Sequence, residues 1–207
     1  MNRLADIFID QDLVTRIKRK LPYLFLLAEL EASRAGKVGM EVGSLREKII
    51  IALLIYKFGK ENVETKIPIT EPEIDVRLFG EPISIKTVTG NGGVKAVWTV
   101  DAQKAREFLD NYSPVCDMLI VQINWNGTGY LSYIPIEAQQ RVFNFLGRER
   151  YFKLPKEGTN PRGVEFSHEA IFSLRNDEGT VNLNIYWHKL DIKFDANQRW
   201  VDMWREE

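Results

Sequence analysis

Asp75 and Lys86 stand on either side of a chain reversal in EIDVRLFGEPISIKTVTG, residues 73–90. Ile74, Val76 and Leu78 alternate with Glu73, Asp75, Arg77 and Phe79; Gly80-Glu81-Pro82 breaks the run; then Ile83, Ile85 and Thr87 alternate with Ser84 and Lys86. Period-2 alternation on both sides of a break predicts a β-hairpin with one buried face. An even-numbered loop sets Asp75 opposite Lys86. Because Pro82 cannot donate a ladder hydrogen bond, a four-residue loop is expected over a two-residue one, and the side-chain parity is the same for both. An acid and a lysine then share one face of a small sheet. Such a pair can hold a hard cation and orient a water beside it; taken alone, it is more commonly a plain cross-strand ion pair.

The elements that must position this pair follow from the flanking pattern. Residues 10–35 read as a helix capped by Asp10 or Asp12, with Leu13, Ile17, Leu21, Leu24, Leu27 and Leu30 on its apolar face. Pro22 is expected to kink or divide it, and Gly36 to end it. A glycine-punctuated loop over 36–44 leads to a second helix, with Ser44 as N-cap and Glu47 three residues on as its capping-box partner. That helix runs to Phe58 and Gly59. A strand is predicted over 62–69, then the hairpin, then a flexible loop over 87–97. Asp101 caps a helix whose stripe is Ala102, Ala105, Phe108 and Leu109; CDMLIVQINW (116–125) is a central buried strand. A further strand (YLSYIPI), a helix (EAQQRVFNFLG), a short helix (HEAIFSL), a strand (TVNLNIYW) and an aromatic tail (RWVDMW) complete the chain. The fold class is mixed α/β: a central sheet containing a β-meander, flanked by helices, with a C-terminal α+β extension.

Composition narrows the setting. The 207 residues carry a formal net charge of −1, so any nucleic-acid contact is expected in a confined basic cleft and not on a broad patch. The one cysteine, Cys116, fits a reducing cytoplasm. The longest apolar run, IIIALLI at 49–55, is too short to cross a bilayer, and no secretory signal is evident at the start of the chain. No phosphate-binding loop, dinucleotide fingerprint or nucleophile elbow occurs, and His168 and His188 lack the partners of a zinc site.

Asp75, then Ser84-Ile85-Lys86 on the next strand, after a helix carrying Glu47, resembles the PD-(D/E)xK nuclease superfamily over about residues 40–125. That family sets an aspartate near the start of one strand and an acid-x-lysine on the following one, often with a glutamate from the preceding helix. Here the proline is Pro72, not adjacent to Asp75, and Ser84 replaces the usual second acid. The resemblance implies a type II restriction endonuclease-like enzyme that hydrolyses double-stranded DNA with Mg²⁺. Asp75, Glu47 and the Ile85 carbonyl would hold the metal, and Lys86 would orient water and meet developing charge; Glu73 competes with Glu47 as the second carboxylate. It further implies a homodimer and a cognate DNA methyltransferase.

Thr87, Thr89, Asn91 and Lys95 are candidate DNA contacts beside the site, and Asn160 and Arg162, in GTNPRG at 158–163, suit base edges or phosphates. Met40 is a candidate apolar wedge between base steps, although methionine more commonly packs in cores. Trp187, Trp200 and Trp204 are expected to pack on the core. One nuclease domain is expected: an N-terminal helical part (1–39), a catalytic core (40–135) and a DNA-reading or dimer extension (136–207). A structure-selective nuclease on the same core, or an inactive DNA-binding module, remains an alternative.

Overall fold

The computed structural model describes residues 3–34, 37–39, 41–71, 73–97, 102–154 and 163–206. The chain begins with α1 (Asp6–Ile9) and α2 (Gln11–Glu31), joined at Asp10, whose Oδ1 accepts from the N–H of Leu13 at 3.0 Å and caps α2. Pro22 does not divide α2, one of the two outcomes expected from the sequence, and the helix continues to Glu31. A proline inside a helix forfeits one backbone bond, and here the buried stripe continues past it through Phe25 and Leu26. A small ribbon, β1 (Ser33–Arg34) with β2 (Lys37–Val38), precedes α3 (Val42–Phe58), which Gly59 closes at φ 87° with its N–H on the Ile55 carbonyl.

Next come β3 (Val63–Glu64), β4 (Val76–Leu78), β5 (Glu81–Thr89) and β6 (Val94–Val97), then α4 (Ala102–Asn111) and β7 (Asp117–Ile123). The remainder is β8 (Thr128–Ile134), α5 (Ile136–Leu146), α6 (Arg148–Tyr151), β9 (Phe152–Lys153), β10 (Val164–Phe166), α7 (His168–Asn176), β11 (Val181–Tyr186) and α8 (Gln198–Arg205). Six strands form one mixed sheet in the order β11-β8-β7-β5-β4-β3, with β5 and β7 its parallel pair. The expected α/β class, with β3-β4-β5 as a meander and helices on the sheet, is what the chain adopts.

Alternation along the strands sorts side chains into two cores. Val76, Ile83, Ile85, Leu119 and Val121 face α1, α2 and α3, while Val88, Met118, Ile120 and Ile134 face α4, α5 and α7. The long run in β7 is apolar on both sides because it is covered on both.

Three local expectations are corrected. The strand expected at 62–69 shrinks to Val63–Glu64. Residues 87–97 are not one flexible loop: β5 continues to Thr89, and β6 leaves the main sheet to pair with β10 in a second sheet, β6-β10-β9. The hairpin turn has two residues, not four. Leu78 pairs with Glu81 and Arg77 with Pro82, leaving Phe79 and Gly80 in the turn at φ 52° and 85°. The closing pair makes 77–82 a position that exchanges no ladder bonds with β4, so Pro82 forfeits nothing there. Phe79 is held in its left-handed conformation by Phe58 against its ring (5.8 Å) and the Arg3 guanidinium over it (4.0 Å).

The aromatic tail divides. Trp187 is fully buried against Phe25 and Trp125, but Trp200 and Trp204 on α8 are 50% and 90% exposed, overturning the expectation that they pack on the core.

Candidate active site

Because the turn is Phe79-Gly80, centred one residue earlier than the sequence break suggested, the position across from Asp75 is Ser84, not Lys86. Parity is unchanged, so Asp75, Ser84 and Lys86 all lie on the sheet side opposite Val76, Ile83 and Ile85. Because β4 begins only at Val76, the β4-facing edge of β5 is open beside Asp75. The Asp75 carboxylate fills it: Oδ2 accepts from the N–H of Ile85 at 2.5 Å and from Ser84 Oγ at 3.3 Å, with Lys86 Nζ 3.5 Å away. The Asp75 N–H donates to the Ile83 carbonyl at 3.0 Å, which anchors the residue to the same strand. Among the described residues, no hydrogen bond reaches Oδ1. The Ile85 carbonyl, pointing like its N–H to the edge that β4 vacates, is equally available.

Glu47 arrives from α3. The helix starts at Val42, with Glu41 before it and no side-chain cap, so Ser44 lies inside the first turn and is not the N-cap. Glu47 is therefore no capping-box partner, which corrects the sequence reading and leaves its carboxylate free for the site. Arg46, Ile50 and Leu54 fix which face of α3 is buried and turn Glu47 to a cleft of about 430 Å³ that Asp75, Ile85, Lys86, Thr87 and Lys95 also line. Gly43 and Ser44 add the opening turn of the helix to its wall. Backbone N–H groups there have no intrahelical acceptor.

Burial pushes the Glu47 carboxyl above the usual carboxylate range, Asp75 pushes it further, and Lys86 and Lys48 pull it back. Two acids kept close against their own repulsion, with one lysine acting on both, make a field that a cation relieves. Among the described residues no cluster of three or more His, Cys, Asp or Glu side chains forms. The oxygen set on offer is two carboxylates and a main-chain carbonyl, which suits an ion that keeps several waters. Glu73 is also raised by burial, with Lys86 opposing. Its charge bears on Tyr112, Tyr151 and Cys116, in or beside the second core, and it does not line the cleft. The geometry thus favours Glu47 over Glu73.

The candidate DNA contacts separate. Thr87 and Lys95 line the cleft, but Lys95 Nζ meets Glu165 Oε1 at 2.5 Å across the β6–β10 pair. Thr89 is exposed at the end of β5, with its hydroxyl accepting from Arg46 at 3.0 Å; Asn91 is exposed in the following turn. Asn160, Arg162 and Met40 lie outside the described residues. Two features went unread in the sequence: the Glu165 partner of Lys95, and the burial of Arg46 against Glu29. The second had a signal, since Arg46 precedes Ile50 and Leu54 at helical spacing on one face.

Residues 7–206 match the family model of Restriction endonuclease ThaI. A solved structure described as a restriction endonuclease in complex with substrate DNA aligns over 100% of both chains, with a TM-score of 0.93 and 57% sequence identity. No curated protein matches.

Proposed function

The chain belongs to the ThaI restriction endonuclease family, a class of site-specific deoxyribonucleases, and from that premise we propose that the cleft between α3, β5 and β6 is its catalytic site. The observation that carries the reading is convergence: Glu47 from a helix, Asp75 from before one strand, and Ile85 and Lys86 from the next line one cleft. We take the substrate to be double-stranded DNA, a reading supported by the substrate DNA in the aligned structure, and the metal to be Mg²⁺.

Asp75, Glu47 and the Ile85 carbonyl would hold the ion. When bound, Mg²⁺ supplies Lewis-acid polarisation of a phosphoryl oxygen and makes a bound water more acidic. Lys86, its ammonium 3.5 Å from Asp75, orients the attacking water and meets the charge that develops on the phosphate. Ser84, 5% exposed and donating to Asp75, holds that carboxylate in place and does not replace the missing second acid. Thr87, Lys95 and the N–H groups of the first turn of α3 are placed to take flanking phosphate oxygens.

Thr89 and Asn91 border this surface, and Asn160 and Arg162 belong to the part (136–207) that we assign to reading DNA or to dimer contact. A homodimer follows from the need to cut both strands of a palindrome with equivalent sites. A cognate methyltransferase and a cytoplasmic location complete the reading. No helix among the described residues is long and apolar enough to cross a membrane. Digestion of a defined plasmid with Mg²⁺, with sequencing of the ends, tests it. Discrete fragments with one repeated end sequence are expected; smears, or cutting confined to branched substrates, would favour a structure-selective nuclease.

A further inference from the structure

Directly before Glu47 on α3 stands Arg46, 4% exposed. Its Nη2 bonds to Glu29 Oε1, near the end of α2, and to Thr89 Oγ1 at 3.0 Å, at the end of β5. The same Glu29 oxygen accepts from Trp125 Nε1 at 2.9 Å, just past β7, and the Phe25 ring lies 5.6 Å from the guanidinium carbon. Four separate parts of the chain thus meet on one buried ion pair.

Stability alone does not account for it. Removing two charges from water is costly, and apolar residues of similar bulk often stabilise a fold as well as a buried ion pair does or better. What directional bonds provide is a fixed geometry. The N-terminal part of α3 needs one, because the helix begins without a side-chain cap, and Glu47 is its sixth residue.

We propose that the Arg46–Glu29 pair, with Thr89 and Trp125, is a positioning device: it locks the N-terminal part of α3 against the end of β5 and so sets where the Glu47 carboxylate stands relative to Asp75 and Lys86. Arg46 acts through its neighbour and touches no reacting atom. The inference rests on Glu47 working in the site proposed above.

The test is a double variant, Glu29→Leu with Arg46→Met, which removes both charges and keeps the bulk. Thermal unfolding, DNA affinity, single-turnover cleavage rate and the Mg²⁺ concentration for half-maximal rate are measured beside wild type. Unfolding and DNA binding near wild type are expected, with the rate down by about 10²-fold, the loss that a displaced catalytic group brings, and a raised Mg²⁺ requirement. A well-folded double variant with wild-type rate and Mg²⁺ requirement overturns the proposal. If the double variant unfolds, Thr89→Val and Trp125→Phe each remove one bond from the network. A severalfold rise in Mg²⁺ requirement with cooperative unfolding retained supports the device, and unchanged values reject it. Glu47→Gln is the control that separates the two readings. Wild-type cleavage by Glu47→Gln overturns the site, whereas an inactive Glu47→Gln beside unaffected network variants overturns only the positioning role.

Discussion

The backbone N–H of Ile85 donates to Asp75 Oδ2 at 2.5 Å, so the strand that carries Lys86 also clamps the carboxylate that lies 3.5 Å from the lysine's ammonium. The clamp exists because β4 stops at Val76 and leaves the edge of β5 open. One strand therefore fixes the aspartate, presents a carbonyl and carries the lysine.

Replacing either charged member should stop the reaction while sparing the fold. Asp75→Asn places an amide where Oδ2 now accepts, so one arrangement sets an NH₂ group against Ile85 N–H and Lys86. Asp75→Asn and Lys86→Ala should each lower the single-turnover rate by about 10²–10³-fold at saturating Mg²⁺. Lys86→Arg should not recover it, because a planar guanidinium cannot replace a compact ammonium at one point. Normal rates in both Asp75→Asn and Lys86→Ala would remove these residues from the site.

Glu47 sets a pH dependence on stability in the metal-free protein. Its folded-state carboxyl is raised above the 4.5 of a free glutamate, by burial first and Asp75 next. Ionised Glu47 therefore opposes folding. The opposition is absent below about pH 4.5, where the group is protonated in both states, and becomes complete once pH passes the raised folded value. Glu47→Gln should melt at a higher temperature than wild type near neutral pH in EDTA, with the gap closing as pH falls towards 4.5. A gap that is unchanged with pH would contradict this origin.

The Lys95–Glu165 pair should restrain DNA binding. Both side chains are about a quarter exposed, so the pair contributes little to stability, but Glu165 neutralises a cation that lines the cleft. Glu165→Gln should strengthen DNA binding at low salt. The slope of log affinity against log salt should steepen by about 0.9, the value of one added phosphate contact. Titration at several salt concentrations reads this directly; an unchanged slope would show that Glu165 does not hold Lys95 back from phosphate.

Gly129, in β8 opposite Ile185, is fixed by packing. A Cβ there would strike the Gln122 carbonyl and come within 2.6 Å of Trp187 Nε1. Neither can yield easily, the first being backbone and the second a fully buried ring. Gly129→Ala should destabilise the protein by about 1–3 kcal/mol in denaturant unfolding, as overpacked cores do.

The sequence by itself determined what depends on short-range periodicity. Alternation on both sides of Gly80 put Asp75, Ser84 and Lys86 on one face, and this held although the turn was shorter than expected, because any even loop conserves parity. The continuous apolar run at 117–123 marked the central strand for the same reason, as burial on both faces leaves no polar phase. Tertiary structure decided what depends on where separate elements stop and meet. The end of β4 at Val76, which frees the Ile85 edge, is set by how the chain from β3 returns to the sheet. Freeing Glu47 from a capping role required α3 to start at Val42, and the pairing of Lys95 with Glu165 required β6 to leave the main sheet for β10. Residues 29, 46, 89 and 125 meet in space though far apart in the chain, and no local pattern records such a meeting, since it is fixed by the packing of α2 and α3 against one face of the sheet.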